Sequence, residues 1–196
     1  MDIVCLDLEG VLIPEIWQAV ARKVGDDRLL KTTRDMPVYD ELMQYRLGII
    51  AELGLTLTTI RDVIASLDVL PGAREFLDAL RQDYQVVILS DTFYEFGMPF
   101  MAKLGYPTLL CHRLVVTDDI ITGYTLRQPD PKRAAVRAFH DLRYTVTAAG
   151  DSYNDVAMLE EADRGFFFSA PANVTAQFPQ FPETATYAEL LTRIRG

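Results

Sequence analysis

Three short apolar runs in this chain each lead directly into carboxylate or hydroxyl residues at a turn. Ile3 to Leu8 carries Asp7 and runs into Glu9 and Gly10. Val86 to Leu89 runs into Ser90 and Asp91, and Val146 to Ala149 runs into Gly150 and Asp151. Brief apolar runs bounded by turn residues are expected of strands buried on both faces. Thr108 to Cys111 reads the same way, and Gly165 to Phe168 adds a weaker fifth strand. Between these runs, Ala73 to Arg81, Tyr94 to Leu104, Lys132 to Leu142 and Asn154 to Ala162 place apolar residues at three- and four-residue spacing, the helical period. Strands alternating with helices predict an α/β chain built on a Rossmann-like, mostly parallel sheet with helices on both faces.

The stretch from 14 to 70 interrupts the alternation. It holds three helical patterns in succession, near Glu15 to Val24, Val38 to Leu53 and Leu57 to Leu67, and Pro71-Gly72 closes it. It is read as a helical insertion after the first strand, so that residues 1–13 and 71–196 form the α/β core. Leu114 to Leu126, with Asp118-Asp119 at its turn and Gly123 near it, is read as a β-hairpin added to the sheet.

The formal net charge of -9 opposes a nucleic-acid backbone, and no basic patch offsets it. An acidic chain that handles anions must recruit cations locally, as a metal ion or as single Lys and Arg side chains. The N-terminal residues carry no basic segment followed by an apolar one, and no stretch reaches transmembrane length. The expectation is a cytoplasmic protein with no nucleic-acid or membrane partner. Cys5 and Cys111 both lie in strand-like runs and are expected to be buried, reduced thiols.

In open α/β sheets ligands bind beyond the carboxyl ends of the strands, where strand order reverses. Asp7 with Glu9, Ser90 with Asp91, and Asp151 with Asp155 should therefore converge. Asp7 and Glu9 are two residues apart, which on extended backbone turns both carboxylates to one side. Such a pair needs either a cation between its members or one carboxyl that keeps its proton. Mg2+ fits the first solution, because it takes oxygen ligands and needs few carboxylates. Ser90 offers a hydroxyl at a strand end, and Lys132 places a positive charge at a helix start, where the dipole disfavours it. Plainer readings exist for each residue. Glu9 could cap the following helix, Ser90 could be a turn residue, and Glu15 and Arg46 could be a surface pair.

Taken in order, Asp7-Leu8-Glu9-Gly10-Val11, Ser90, Lys132 and Gly150-Asp151-Ser152-Tyr153-Asn154-Asp155 resemble the four motifs of the haloacid dehalogenase superfamily. The resemblance implies Asp7 as nucleophile, Glu9 as acid/base, Mg2+ held by Asp7, Glu9 and Asp151, phosphate held by Ser90, Lys132 and Asn154, and support from Asp155. The insertion resembles the small helical cap of phosphoserine phosphatases, in which Glu15 and Arg46 fall where the amino and carboxylate groups of phosphoserine are read. Family members usually carry Asp where this chain has Glu9 and Thr where it has Val11. With Leu89 to Phe96 and Lys132-Arg133, the pattern looks most like the bifunctional subgroup that also transfers phosphate to homoserine, and Asp91 is a candidate for positioning that acceptor. A phosphatase for another small metabolite, or a receiver-like signalling module, would share parts of the pattern. The sequence leaves the oligomeric state undetermined, a homodimer included.

Overall fold

The N-terminal apolar run becomes the central strand of a seven-stranded sheet in the computed structural model, which describes residues 1–33, 35–36 and 38–196. The strands are β1 (Asp2–Leu6), β2 (Gln85–Phe93), β3 (Thr108–Thr117), β4 (Ile120–Thr125), β5 (Thr145–Gly150), β6 (Arg164–Phe168) and β7 (Glu183–Thr184), in the order β4-β3-β2-β1-β5-β6-β7. Among the described strands β3 and β4 pair antiparallel and the other neighbours pair parallel. Strand order reverses around β1, which lies between β2 and β5.

Alternation along β1 divides the core. Val4 and Leu6 face a layer made by α4 (Ala73–Leu80), α5 (Tyr94–Met101) and α9 (Tyr187–Arg195). Ile3 and Cys5 face α6 (Pro131–Asp141), α7 (Val156–Glu161) and α8 (Ala172–Gln177). Both cysteines are free and buried, and burial pushes each thiol up to about 12, which keeps them unreactive. The C-terminal α9 was not anticipated, although its signal is present. Thr186 and Glu189 form a reciprocal capping box at its start.

The insertion folds as α1 (Ile16–Val24), a 3₁₀ turn (Asp27–Leu30), α2 (Tyr39–Glu52) and α3 (Leu57–Ala65). Its two ends meet where the Leu70 amide donates to the Leu12 carbonyl at 2.9 Å. Its apolar faces join the same core layer as α4 and α5. The hairpin holds it from the other side. Asp118 and Asp119 both have positive φ, 50° and 68°, as a two-residue turn between right-twisted strands requires. Asp119 then receives the start of α3: its carbonyl accepts the Leu57 amide at 2.8 Å, and Oδ1 accepts the Thr58 amide and hydroxyl, each at 2.9 Å. Tyr124 of β4 donates to the Asp40 carboxylate on α2.

Asp119 is thus both a left-handed turn residue and the cap of a helix on another segment. Asp119→Ala loses both roles and should cost about 1–2 kcal/mol in urea unfolding, whereas Asp119→Asn, which tolerates the conformation and keeps an acceptor, should cost much less.

Candidate active site

The ends of β1, β2 and β5 converge as parallel pairing dictates. Leu6 is in register with Ile88 and with Ala149, so Asp7 emerges between Ser90 and Asp151, and its amide donates to the Ala149 carbonyl at 3.0 Å. Between Leu89 and Phe93 the pairing of β2 with β3 shifts: Leu89 is opposite Leu110 and Phe93 opposite His112, so Ser90, Asp91 and Thr92 together stand against Cys111. Such bulges re-aim side chains near functional sites. Here Ser90, Asp91 and Thr92 all reach a cavity of about 160 Å³ between sheet and insertion.

Asp7, Glu9, Glu15, Arg46, Ser90, Asp91, Lys132, Asp151 and Asn154 line that cavity. Lys132, the second residue of α6, is 3% exposed. Its ammonium donates to Asp7 Oδ1 at 2.8 Å and to Asp155 Oδ1 at 2.6 Å, and Asp91 Oδ2 stands 3.7 Å away. Burial opposes its charge, but Asp155, Asp7 and Asp91 outweigh that and hold its pKa well above the usual lysine range. Asp155 lies behind the cavity, wholly buried and saturated. Its Oδ2 accepts the Asp151 amide at 2.9 Å, the Ser152 amide at 3.0 Å and the Ser152 hydroxyl at 3.2 Å. Gly150 makes room for it, since a Cβ there would lie 2.2 Å from the Asp155 carboxyl carbon.

Asp7, Asp151 and Asp155 bring carboxylate oxygens within 4.8 Å of one another. Burial, then Asp155, push the Asp7 carboxyl well up against the pull of Lys132, and Asp151 adds to the rise. A divalent cation relieves such crowding, so the donor set suits Mg2+. Asp7 and Asp151 both line the cavity, whereas Asp155 lies behind it. Gly10 keeps the approach open: with φ at 78°, its missing Cβ would lie 2.4 Å from Asp151 Oδ2.

Glu9, expected among the metal ligands, lies outside this carboxylate group among the described residues. Its side chain turns toward the insertion, where Oε2 accepts the amide of Ile16, the first residue of α1, at 2.9 Å. The contact is the helix cap that the plainer reading of Glu9 expected. Burial first, then Glu15, push its carboxyl up to about 7, against the Ile16 amide, the Thr92 side chain and Arg46. Ser90 Oγ accepts the Thr92 amide at 3.2 Å, leaving its hydroxyl proton to donate. Asn154 Oδ1 accepts the Thr33 hydroxyl at 2.9 Å, tying insertion to core across the cavity.

Arg46 is buried, with its guanidinium 4.7 Å from the Trp17 ring centroid and Nη2 donating to the Lys31 carbonyl at 2.7 Å. Its Nε, equally buried, has no hydrogen-bond partner among the described residues. Burial lowers its pKa to about 10. Trp17, Tyr39 and Thr92 also line the cavity and escaped sequence reading. Ser90 and Thr92, at alternate positions, were the available signal for Thr92.

With this geometry in place, comparison with known proteins is direct. The model of the haloacid dehalogenase-like hydrolase family matches residues 14–160. The chain belongs to that family. It is 60% identical over 191 residues to phosphoserine phosphatase ThrH of Pseudomonas aeruginosa, covering 97% of this chain and 93% of that protein. A phosphoserine phosphatase of Pseudomonas syringae pv. tomato is 58% identical over 191 residues, covering 97% and 81%. A solved phospho-aspartyl intermediate analogue of phosphoserine phosphatase shares the fold, with a TM-score of 0.79, 20% identity and 98% of each chain covered. The haloacid dehalogenase-like fold thus carries the expected α/β architecture. Among the described residues no helix is long and apolar enough to cross a membrane.

The raised Glu9 makes a pH-dependent prediction. The folded protein keeps this proton up to about pH 7, while an ordinary glutamate releases it near 4.5, so stability conferred by the proton is lost as pH rises through that window. In metal-free buffer at pH 8, Glu9→Gln should melt several degrees above the wild type, since 1 kcal/mol moves a chain of this size by about 2–4 °C. Towards pH 4.5 the difference should close, as followed by thermal melts across the range.

Proposed function

We propose that this chain is a Mg2+-dependent phosphoserine phosphatase that works through an aspartyl phosphate on Asp7 and can also pass the phosphoryl group to homoserine. The observation that carries the substrate assignment is Arg46. A buried guanidinium stacked on Trp17, with an N–H that nothing among the described residues accepts, suits a carboxylate entering the cavity. Glu15 lines the same cavity and suits an ammonium. Together they read an amino-acid headgroup, in line with the phosphoserine phosphatases that resemble this chain at 60% and 58% identity.

In the proposed reaction the Asp7 carboxylate attacks phosphorus and the ester P–O bond breaks, while Glu9 passes its proton to the departing serine oxygen. A carboxyl with a pKa near 7 can do this at neutral pH and afterwards accept a proton. Glu9 then takes a proton from water or from the homoserine hydroxyl, whose oxygen attacks the phosphoryl group and frees Asp7. Lys132 and the Ser90 hydroxyl hold phosphoryl oxygens, with Asn154 at the rim and Asp91 beside them. Bound between Asp7 and Asp151, Mg2+ would supply positive charge to the phosphoryl oxygens. The segment 14–70 acts as the cap that keeps bulk water from the intermediate. Serine and homoserine share a headgroup, so Arg46 and Glu15 serve donor and acceptor alike. No observation selects the receiver-like alternative, whereas the family match argues for an enzyme.

Two variants test this. Arg46→Ala should raise the KM for phosphoserine roughly 10- to 100-fold, the loss of one charge-assisted pair, while turnover of a phosphate ester lacking a carboxylate changes little. Unchanged phosphoserine turnover would refute the substrate assignment. Asp7→Asn should abolish both phosphate release with Mg2+ and formation of phosphohomoserine when homoserine is added, with both products followed in one assay.

A further inference from the structure

His112 is a buried titratable side chain that this reaction does not use. It lies on β3, 2% exposed, and its Nδ1 accepts the Arg127 amide at 3.1 Å. That contact places the ring proton on Nε2, whose N–H dipole attracts Asp91 Oδ1 at 3.7 Å, beyond hydrogen-bond length and at the same distance as Lys132 from Oδ2. Asp91 is held from a second direction, because its carbonyl accepts the Tyr39 hydroxyl at 2.8 Å, and the Tyr39 ring meets His112 edge-on with centroids 5.9 Å apart.

An ammonium has three N–H donors. Asp7 and Asp155 take two from Lys132, at 2.8 and 2.6 Å. Asp91 Oδ2, at 3.7 Å, is too distant to accept the third, although its charge is drawn towards the ammonium. Among the described residues no other acceptor comes within hydrogen-bond distance, so the third N–H stands beside Asp7, where a phosphoryl oxygen would sit. We propose that His112 is a positioning residue which, by attracting Asp91 from the far side, keeps that carboxylate from closing on Lys132 and so keeps a phosphate-binding donor open. Without His112, a side-chain rotation would let Asp91 occupy the donor as an internal competitor of the incoming anion. The inference rests on reading Lys132 as a phosphate ligand, and not on which ester is turned over.

The test uses orthophosphate as probe, its affinity taken from calorimetry on the Mg2+-loaded protein. His112→Phe keeps the ring packing but removes both nitrogens, and should weaken orthophosphate binding by about tenfold, the scale of one charge-assisted contact. Adding Asp91→Asn to it should restore the affinity, because an amide lacks the charge that closes on Lys132. General damage to the fold would not be repaired in this way. His112→Gln, which keeps an N–H directed at Asp91, should bind orthophosphate as the wild type does. Should His112→Phe fail to fold, Asp91→Asn alone decides: it must bind orthophosphate at least as tightly as the wild type. Weaker binding by that variant, or a double variant no better than His112→Phe, overturns the proposal. If the wild type binds no orthophosphate, the reading of Lys132 falls and takes this inference with it.

Discussion

The site depends on one buried ammonium. Among the described residues Lys132 brings its ammonium within 4 Å of Asp7, Asp91 and Asp155, and Asp151 stands beside them, so one lysine faces four carboxylates. Such a cluster is a poor source of stability, because desolvating the charges offsets much of their attraction. The fold is held instead by the two apolar layers that meet at β1, where each fully buried Leu, Ile or Phe contributes about 1.5–3 kcal/mol. What the cluster contributes is position. Lys132 draws the end of β1, the turn after β5 and the start of α6 to one point, and the surplus negative charge makes that point receptive to a divalent cation.

Opposing demands on neighbouring groups explain the rest of the site. In the proposed reaction Asp7 must be ionised to attack, and a single lysine does not bring it down against burial and two adjacent aspartates. Glu9, two residues away, must in that reaction keep a proton, and its burial beside Glu15 raises its carboxyl accordingly. The chain separates the two carboxyls by pointing one at the cluster with Asp151 and Asp155 and the other at α1. The side chain of Glu9, one methylene longer than the aspartate usual in the family, reaches the Ile16 amide.

Much of this was readable before any coordinates. Asp7, Ser90 and Asp151 each follow an apolar run, and parallel pairing leaves such residues no other place to go. The insertion was visible as helices without strands between them. The place of Thr92 in the cavity was signalled only by its alternation with Ser90, because the bulge that brings Asp91 there too depends on register with β3. His112 was unreadable for the same reason: it becomes a neighbour of Asp91 only when β3 pairs beyond that bulge. Glu9 was harder for another reason. Cap and acid/base looked like rival readings, yet a carboxyl with two oxygens can serve a helix amide while it keeps the proton its burial imposes.

The joint between Leu12 and Leu70 has a consequence for how such a chain can change over evolutionary time. Because the insertion leaves and re-enters the core at one hydrogen-bonded point, its length need not disturb the register of the sheet. On the proposed function, phosphate chemistry falls to the strand ends, and recognition of the rest of the substrate falls to an inserted segment that carries Arg46 and adds no strand to the sheet. A lineage built on this plan can acquire new substrates without having to reinvent its nucleophile.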